Sequence, residues 1–234
     1  MAEKVEDSSS ARAKYLDYIF QVTRQNENFL HENSEELYVE IIELNNDAID
    51  HIRIATENRT VAEEYVKSSV LYFLYHVLMP IGGAIYINTL IGNLPACFME
   101  LRLALESLVK CYFADQRYPE SEFFRDRLHL FEKKVRGQNT SISSLMNELD
   151  KHLGLKKDSI TLWGKLSESW VHARGVMDGI VDHVIEKSDA PPWGLVIPAN
   201  YTSNDLSSLN ELRKRLDQFR VLLGIVFQKY RQRV

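Results

Sequence analysis

A chain of 234 residues with 45% apolar content has the material for one large domain or two small ones around a real core. It holds no run of eighteen apolar residues, since Val70 to Asn93 is broken by His76, Pro80, Gly82 and Gly83, and its polar, acidic start does not read as a secretory signal. The net charge of −5 is unevenly spread: residues 1–60 carry six Lys/Arg against thirteen Asp/Glu, and residues 211–234 carry seven Lys/Arg against two acids. Such asymmetry fits either a basic face for an acidic partner or two chain ends that pack near each other.

Residues 1–10 are expected to be disordered, and 11–234 to form a single α-helical domain. A first helix runs from about Ala11 to Leu30, with Tyr15, Ile19, Val22 and Leu30 in helical rhythm. A second begins near Ser34 and places Leu37, Ile41, Leu44, Ala48 and Ile52 on one face. Thr60 and Glu63 have capping-box spacing for a helix through Tyr65, Val66, Val70, Leu71, Leu74 and Leu78, which must stop or kink at Pro80. Residues 81–92 allow a strand, but a short helix suits the neighbours better.

Asn93 to Tyr118 is the stretch the rest is arranged around. Asn93 suits an N-cap, Pro95 the first turn, and Pro119 closes the end. Apolar residues occupy nearly every face between them, so the helix is expected to be buried on all sides. Cys97 and Cys111 on it are about 21 Å apart at 1.5 Å per residue, too far to bridge, and read as buried free thiols in a reducing cytoplasm. Further helices follow: one with Phe123, Phe124, Leu128 and Phe131 ending at Gly137, Ile142 to Leu153 ending at Gly154, and one capped by Asp158 through Ile160, Trp163, Leu166 and Trp170. That helix is expected to bend at Gly175 or Gly179 before Ile185. Ser188 to Ser203 is the one long irregular segment. Last comes an amphipathic helix from Asp205 to about Gln232, with Leu206, Leu209, Leu212, Leu216, Phe219, Leu223, Val226, Phe227 and Tyr230 every three or four residues. The reading is an all-α bundle of about seven or eight helices.

Two constellations carry chemistry. Arg102, Glu106 and Lys110 form one row on the central helix at four-residue steps. A buried arginine cannot lose its proton and needs an acceptor, which Glu106 supplies. The row is either an internal ion pair holding helices in register or an anion-binding arginine oriented by a glutamate. On the helix after Asp158, Glu168 and Ser169 share a side with His172, whereas Ser167 lies about 140° around and builds no Ser-His pair. His172 is either a general base held by Glu168 or a bridge between helices. Glu36, Glu40, Glu43, Asp47 and His51 line one helical side and read as a solvated face. Asp126 and His129 come nearest to a di-metal Glu-x-x-His pattern without matching it, so neither metal nor cofactor is expected.

Arg102, Glu106 and the Tyr112-Phe113 pair on an apolar helix, together with Leu166, Ser167, Val171 and His172, resemble helical prokaryotic proteins related to the HEPN (higher eukaryotes and prokaryotes nucleotide-binding) superfamily. The resemblance covers about residues 85–115 and 160–185. It implies a HEPN-like helical core, a homodimer, and either a metal-independent ribonuclease of a toxin or antiviral system or a non-catalytic relative. On that reading Arg102 contacts phosphate, Glu106 orients it and His172 is the acid/base; RNA or nucleotide is the ligand, a protein partner is the alternative, and no membrane is involved. The Arg-x4–6-His pattern of the ribonucleases occurs once, at Arg24 and His31, away from the matching stretches and at a spacing chance readily supplies. The homodimer is expected to place the last helix or the central helix near the two-fold axis.

Overall fold

The computed structural model describes residues 3–57, 66–170 and 198–232, with side chains from residue 12 and, in the middle segment, up to residue 167. Within these residues 86% are helical and no strand occurs, so the all-α reading holds with eight helices. They are α1 (Glu3–Asn33), α2 (Glu35–Thr56), α3 (Ser69–Leu90), α4 (Leu94–Arg117), α5 (Phe124–Gly137), α6 (Ile142–Leu153), α7 (Asp158–Trp170) and α8 (Leu206–Arg231). The Thr60–Glu63 box and the bend at Gly175 or Gly179 lie outside the described residues. Helix α1 begins at Glu3, and neither Gly nor Pro interrupts residues 1–33.

Helix α4 is the hub, packing against α3, α5, α6, α7 and α8, while α2 packs against α1, α3 and α8. Tyr112, Phe98, Leu101, Leu105 and Leu108 of α4 are all but sealed from solvent, and both thiols are buried. Burial pushes the Cys97 thiol up to about 12 and raises that of Cys111 as well. The helix is not enclosed on every side, however. Met99 and Leu103 are 53% and 52% exposed, and Arg102, Glu106 and Lys110 lie on that same open strip.

Helix α3 does not stop at Pro80. Proline brings no N–H for the carbonyl one turn back, and the chain answers by widening rather than breaking. Leu74–Leu78 form a π-turn, Met79 N–H reaches the Leu74 carbonyl, and the α-helix resumes through Leu90. By length and composition α3 could cross a membrane, but Leu74, Leu78, Ile81 and Ile85 are buried in the bundle core.

Several helix ends are made by other helices. Asp150 of α6, not Asp158, caps α7: its carboxylate accepts from Ser159 N–H (2.9 Å), Ile160 N–H (3.2 Å) and the Ser159 hydroxyl. Helix α5 ends at Gly137 as its sequence indicates, and the left-handed residue beyond it is Asn139, whose φ of 49° permits Thr140 N–H to reach the Val135 carbonyl. The acidic row of α2 is likewise not merely solvated. Arg220 of α8 grips Glu40 (2.6 Å) and Asp47 (2.6 Å), and Arg213 binds Glu36 (3.0 Å). The charge asymmetry between the chain ends is therefore neutralised, at least here, where they pack together.

Candidate functional site

Arg102 and Glu106 face each other one turn apart on α4, with Arg102 Nε donating to Glu106 Oε1 at 2.8 Å. The same oxygen accepts the Trp163 indole N–H from α7, also at 2.8 Å. The guanidinium carbon lies 5.2 Å from the centre of the Trp163 ring, a cation–π distance. One edge and the ring-facing side of the guanidinium are thus held, and its terminal nitrogens have no hydrogen-bond partner among the described residues. The Arg102 and Glu106 side chains are 19% and 24% exposed, so the pair is half-buried rather than sealed. Lys110 does not extend the pair; it approaches Glu132 of α5 at 3.8 Å.

Trp163 was legible only as a core residue. The usable signal is that a buried indole N–H seeks an acceptor, and Glu106 is the carboxylate it finds. Of the second constellation, His172 and Val171 lie outside the described residues, as does the side chain of Glu168. The Ser167 hydroxyl donates to the Trp163 carbonyl at 2.6 Å, and the residue is 4% exposed. Arg24 and His31 are two turns apart on α1, both exposed, with His31 3.8 Å from Glu35. A groove of about 350 Å³ between α7 and α8 is lined by Leu155, Leu162, Val221, Ile225, Asp158 and Asp217, and Arg102 takes no part in it.

No group of three or more His, Cys, Asp or Glu side chains among the described residues is arranged to hold a metal ion. His51, at the end of the α2 acidic row, instead stacks on Phe227 of α8 at 4.3 Å and 26°. Its Nδ1 is buried without a partner among the described residues. Burial lowers its pKa, against the pull of Asp47 and Asp50 and with the push of Arg231. The imidazole is therefore neutral when folded and takes a proton more readily when unfolded. Its contribution to stability is present above the ordinary value near 6.5 and is lost as pH falls from there toward the lowered folded value. Thermal unfolding from pH 7.5 to 5.5 should show this fall in the wild type and a shallower one in His51→Phe, which keeps the stack and removes the proton site.

No family model matches the chain, and no curated protein or solved structure matches it either.

Proposed function

We propose that this is a HEPN-like helical protein of a prokaryotic defence or stress system, cytoplasmic, that binds RNA or a nucleotide phosphate through Arg102 without a metal. The observation that carries the reading is the guanidinium itself: oriented by Glu106 and Trp163, partly open to solvent, and with its terminal nitrogens unengaged among the described residues. That is the edge with which arginine grips a phosphate through paired, charge-assisted hydrogen bonds. Glu106 acts as a positioning residue. Should cleavage accompany binding, His172 is the residue for proton transfer, since an imidazole titrates near neutrality.

The test compares wild type with Arg102→Ala, Glu106→Gln and His172→Ala in RNA cleavage, nucleotide binding and thermal unfolding. Arg102→Ala should lose binding tenfold or more. It should cost only about 1 kcal/mol of stability, because the stranded Glu106 can be hydrated. His172→Ala should lose cleavage and keep binding. A wild type that neither binds nor cleaves RNA or nucleotides defeats the reading.

A second reading, a non-catalytic interaction module with a structural ion pair, is favoured by Glu106 taking both Arg102 and Trp163, which ties α4 to α7. On it, Arg102→Ala still costs only about 1 kcal/mol, since the pair is half-buried, and RNA and nucleotide binding is absent from the start.

A further inference from the structure

The apolar positions of α8, which by their number suggest a two-fold contact, are spent within one chain: Leu209, Leu212, Leu216, Phe219, Leu223, Val226, Phe227 and Tyr230 are all buried. The surplus lies on α2. Its core face is Leu37, Ile41, Leu44 and Ala48, each 0–1% exposed. At 100° per residue the opposite face carries Glu35, Val39, Ile42, Asn46, Ile49 and Arg53, spaced by alternating steps of four and three. Val39, Ile42 and Ile49 are 50%, 43% and 47% exposed there. The three apolar residues span ten positions, about 15 Å, at the 3–4 spacing of a two-helix seam, with charged residues at both ends.

We propose that this face pairs with the same face of a second copy of the chain, the two α2 helices running antiparallel about a two-fold axis at the level of Leu44. The charges select this arrangement. About that axis Val39 meets the partner's Ile49, Ile42 meets the partner's Asn46, and Glu35 meets the partner's Arg53, with every seam residue used twice. A parallel pairing would set Glu35 against the partner's Glu35 and Arg53 against the partner's Arg53, like charges at both ends. Glu35 and Arg53 can reach across, with side chains 68% and 76% exposed and, among the described residues, ion pairs only to His31 (3.8 Å) and Asp50 (3.2 Å). The acids flanking the seam are already neutralised from within, Glu36 by Arg213 and Glu43 by Arg220 (3.6 Å). Asn46, exposed mid-seam and bonded to Glu43 at 3.1 Å, is the kind of polar seam residue that fixes register at some cost in affinity. The contact is self-complementary, as a two-fold dimer requires, and depends on neither reading of Arg102.

The test is sedimentation of the full chain together with cysteine cross-linking. Wild type should shift toward twice the chain mass with rising concentration, and Ile42→Glu with Ile49→Glu should weaken association at least about 100-fold. Both substitutions are on the solvent face, so circular dichroism should be unchanged. Val39→Cys with Ile49→Cys should form a disulfide-linked dimer under mild oxidation. The two sites lie about 15 Å apart within one chain and cannot bridge internally, and Cys97 and Cys111 are buried. Neither single cysteine variant should cross-link, because like positions stand about 15 Å apart along the paired helices. A chain that stays monomeric at ~100 µM overturns the proposal. Efficient cross-linking of Val39→Cys alone overturns the antiparallel arrangement.

Discussion

Asp115→Ala is expected to lower the unfolding free energy by about 3–5 kcal/mol, the range for removing one partner of a buried ion pair. The Asp115 side chain is 4% exposed and fully occupied. Oδ1 accepts from Ser69 N–H at 2.9 Å and Arg127 Nη1 at 3.2 Å; Oδ2 accepts from Val70 N–H at 3.0 Å and the Ser68 hydroxyl at 3.1 Å. Two of those donors are among the first N–H groups of α3, which no intrahelical carbonyl can satisfy. Ser68 relays the network further, receiving the Tyr230 hydroxyl of α8 at 2.8 Å and capping Leu71 N–H at 3.1 Å. One carboxylate thus joins the start of α3 to α4, α5 and α8. Alanine would leave the 14%-exposed Arg127 guanidinium with the Ser121 and Pro119 carbonyls but without its carboxylate, and would strand two buried backbone donors. The melting temperature should fall by roughly 10 °C for a chain of this size. Tyr230→Phe, which removes only the outermost link, should cost about 1 kcal/mol. If Asp115→Ala cost no more than Tyr230→Phe, the network would not be the tie it is taken for.

The same residue shows where reading the sequence succeeds and stops. Helix bounds set by local chemistry were legible: Asn93 and Pro95 open α4, and Gly154, at φ 71°, ends α6 after Leu153. So were the buried faces of α2 and α8, because 3.6-residue periodicity is itself a local property. What was not legible joins residues distant in the chain. Asp115 looks like one more acid near a helix end, and nothing local says that it caps a helix starting 46 residues earlier. Asp150 caps α7 from α6, and Arg220 finds Glu40 180 residues away. Pro80 signals disruption, yet whether a helix breaks or widens depends on the packing that holds both halves in line. The candidate site divides the same way. Arg102 and Glu106 were readable as a pair at four-residue spacing, while Trp163, 57 residues on from Glu106, was not. The apolar pattern of α4 reads as burial on all sides because periodicity counts residues and does not count the neighbours that cover them. With Met99 and Leu103 left in solvent, the ionic row becomes the open face of the central helix.

Gly92→Ala should cost about 3 kcal/mol, against about 1 kcal/mol for Gly154→Ala, although the two glycines share nearly the same backbone. Their φ angles are 74° and 71°, and each ends a helix with the same bond pattern. Asn93 N–H reaches the Asn88 carbonyl and Gly92 N–H that of Thr89, as Leu155 N–H reaches Asp150 and Gly154 N–H reaches Lys151. A methyl group in the left-handed region costs about 1–2 kcal/mol at either site. The difference lies in what the methyl meets. At Gly154 nothing stands within 4 Å. At Gly92 it would press into the Ala199 carbonyl oxygen, where the chain re-enters the described fold. That segment is pinned: Ala199 N–H donates to the Ile91 carbonyl at 3.0 Å, and the Asn26 amide donates to the Ala199 carbonyl at 2.9 Å. Tyr201 N–H donates to the Asn26 side-chain Oδ1 at 2.9 Å, and its hydroxyl donates to the Thr89 backbone carbonyl at 2.7 Å. Moving Ala199 aside loosens these bonds around Asn26, which is 1% exposed and has no water to turn to. Urea unfolding of both variants gives the comparison directly, since strain alone would cost them the same. Equal losses would mean that the 198–201 segment is held too loosely for its approach to Gly92 to matter. A loss at Gly92 larger by about 2 kcal/mol makes it a structural anchor for the chain returning from the region that contains His172.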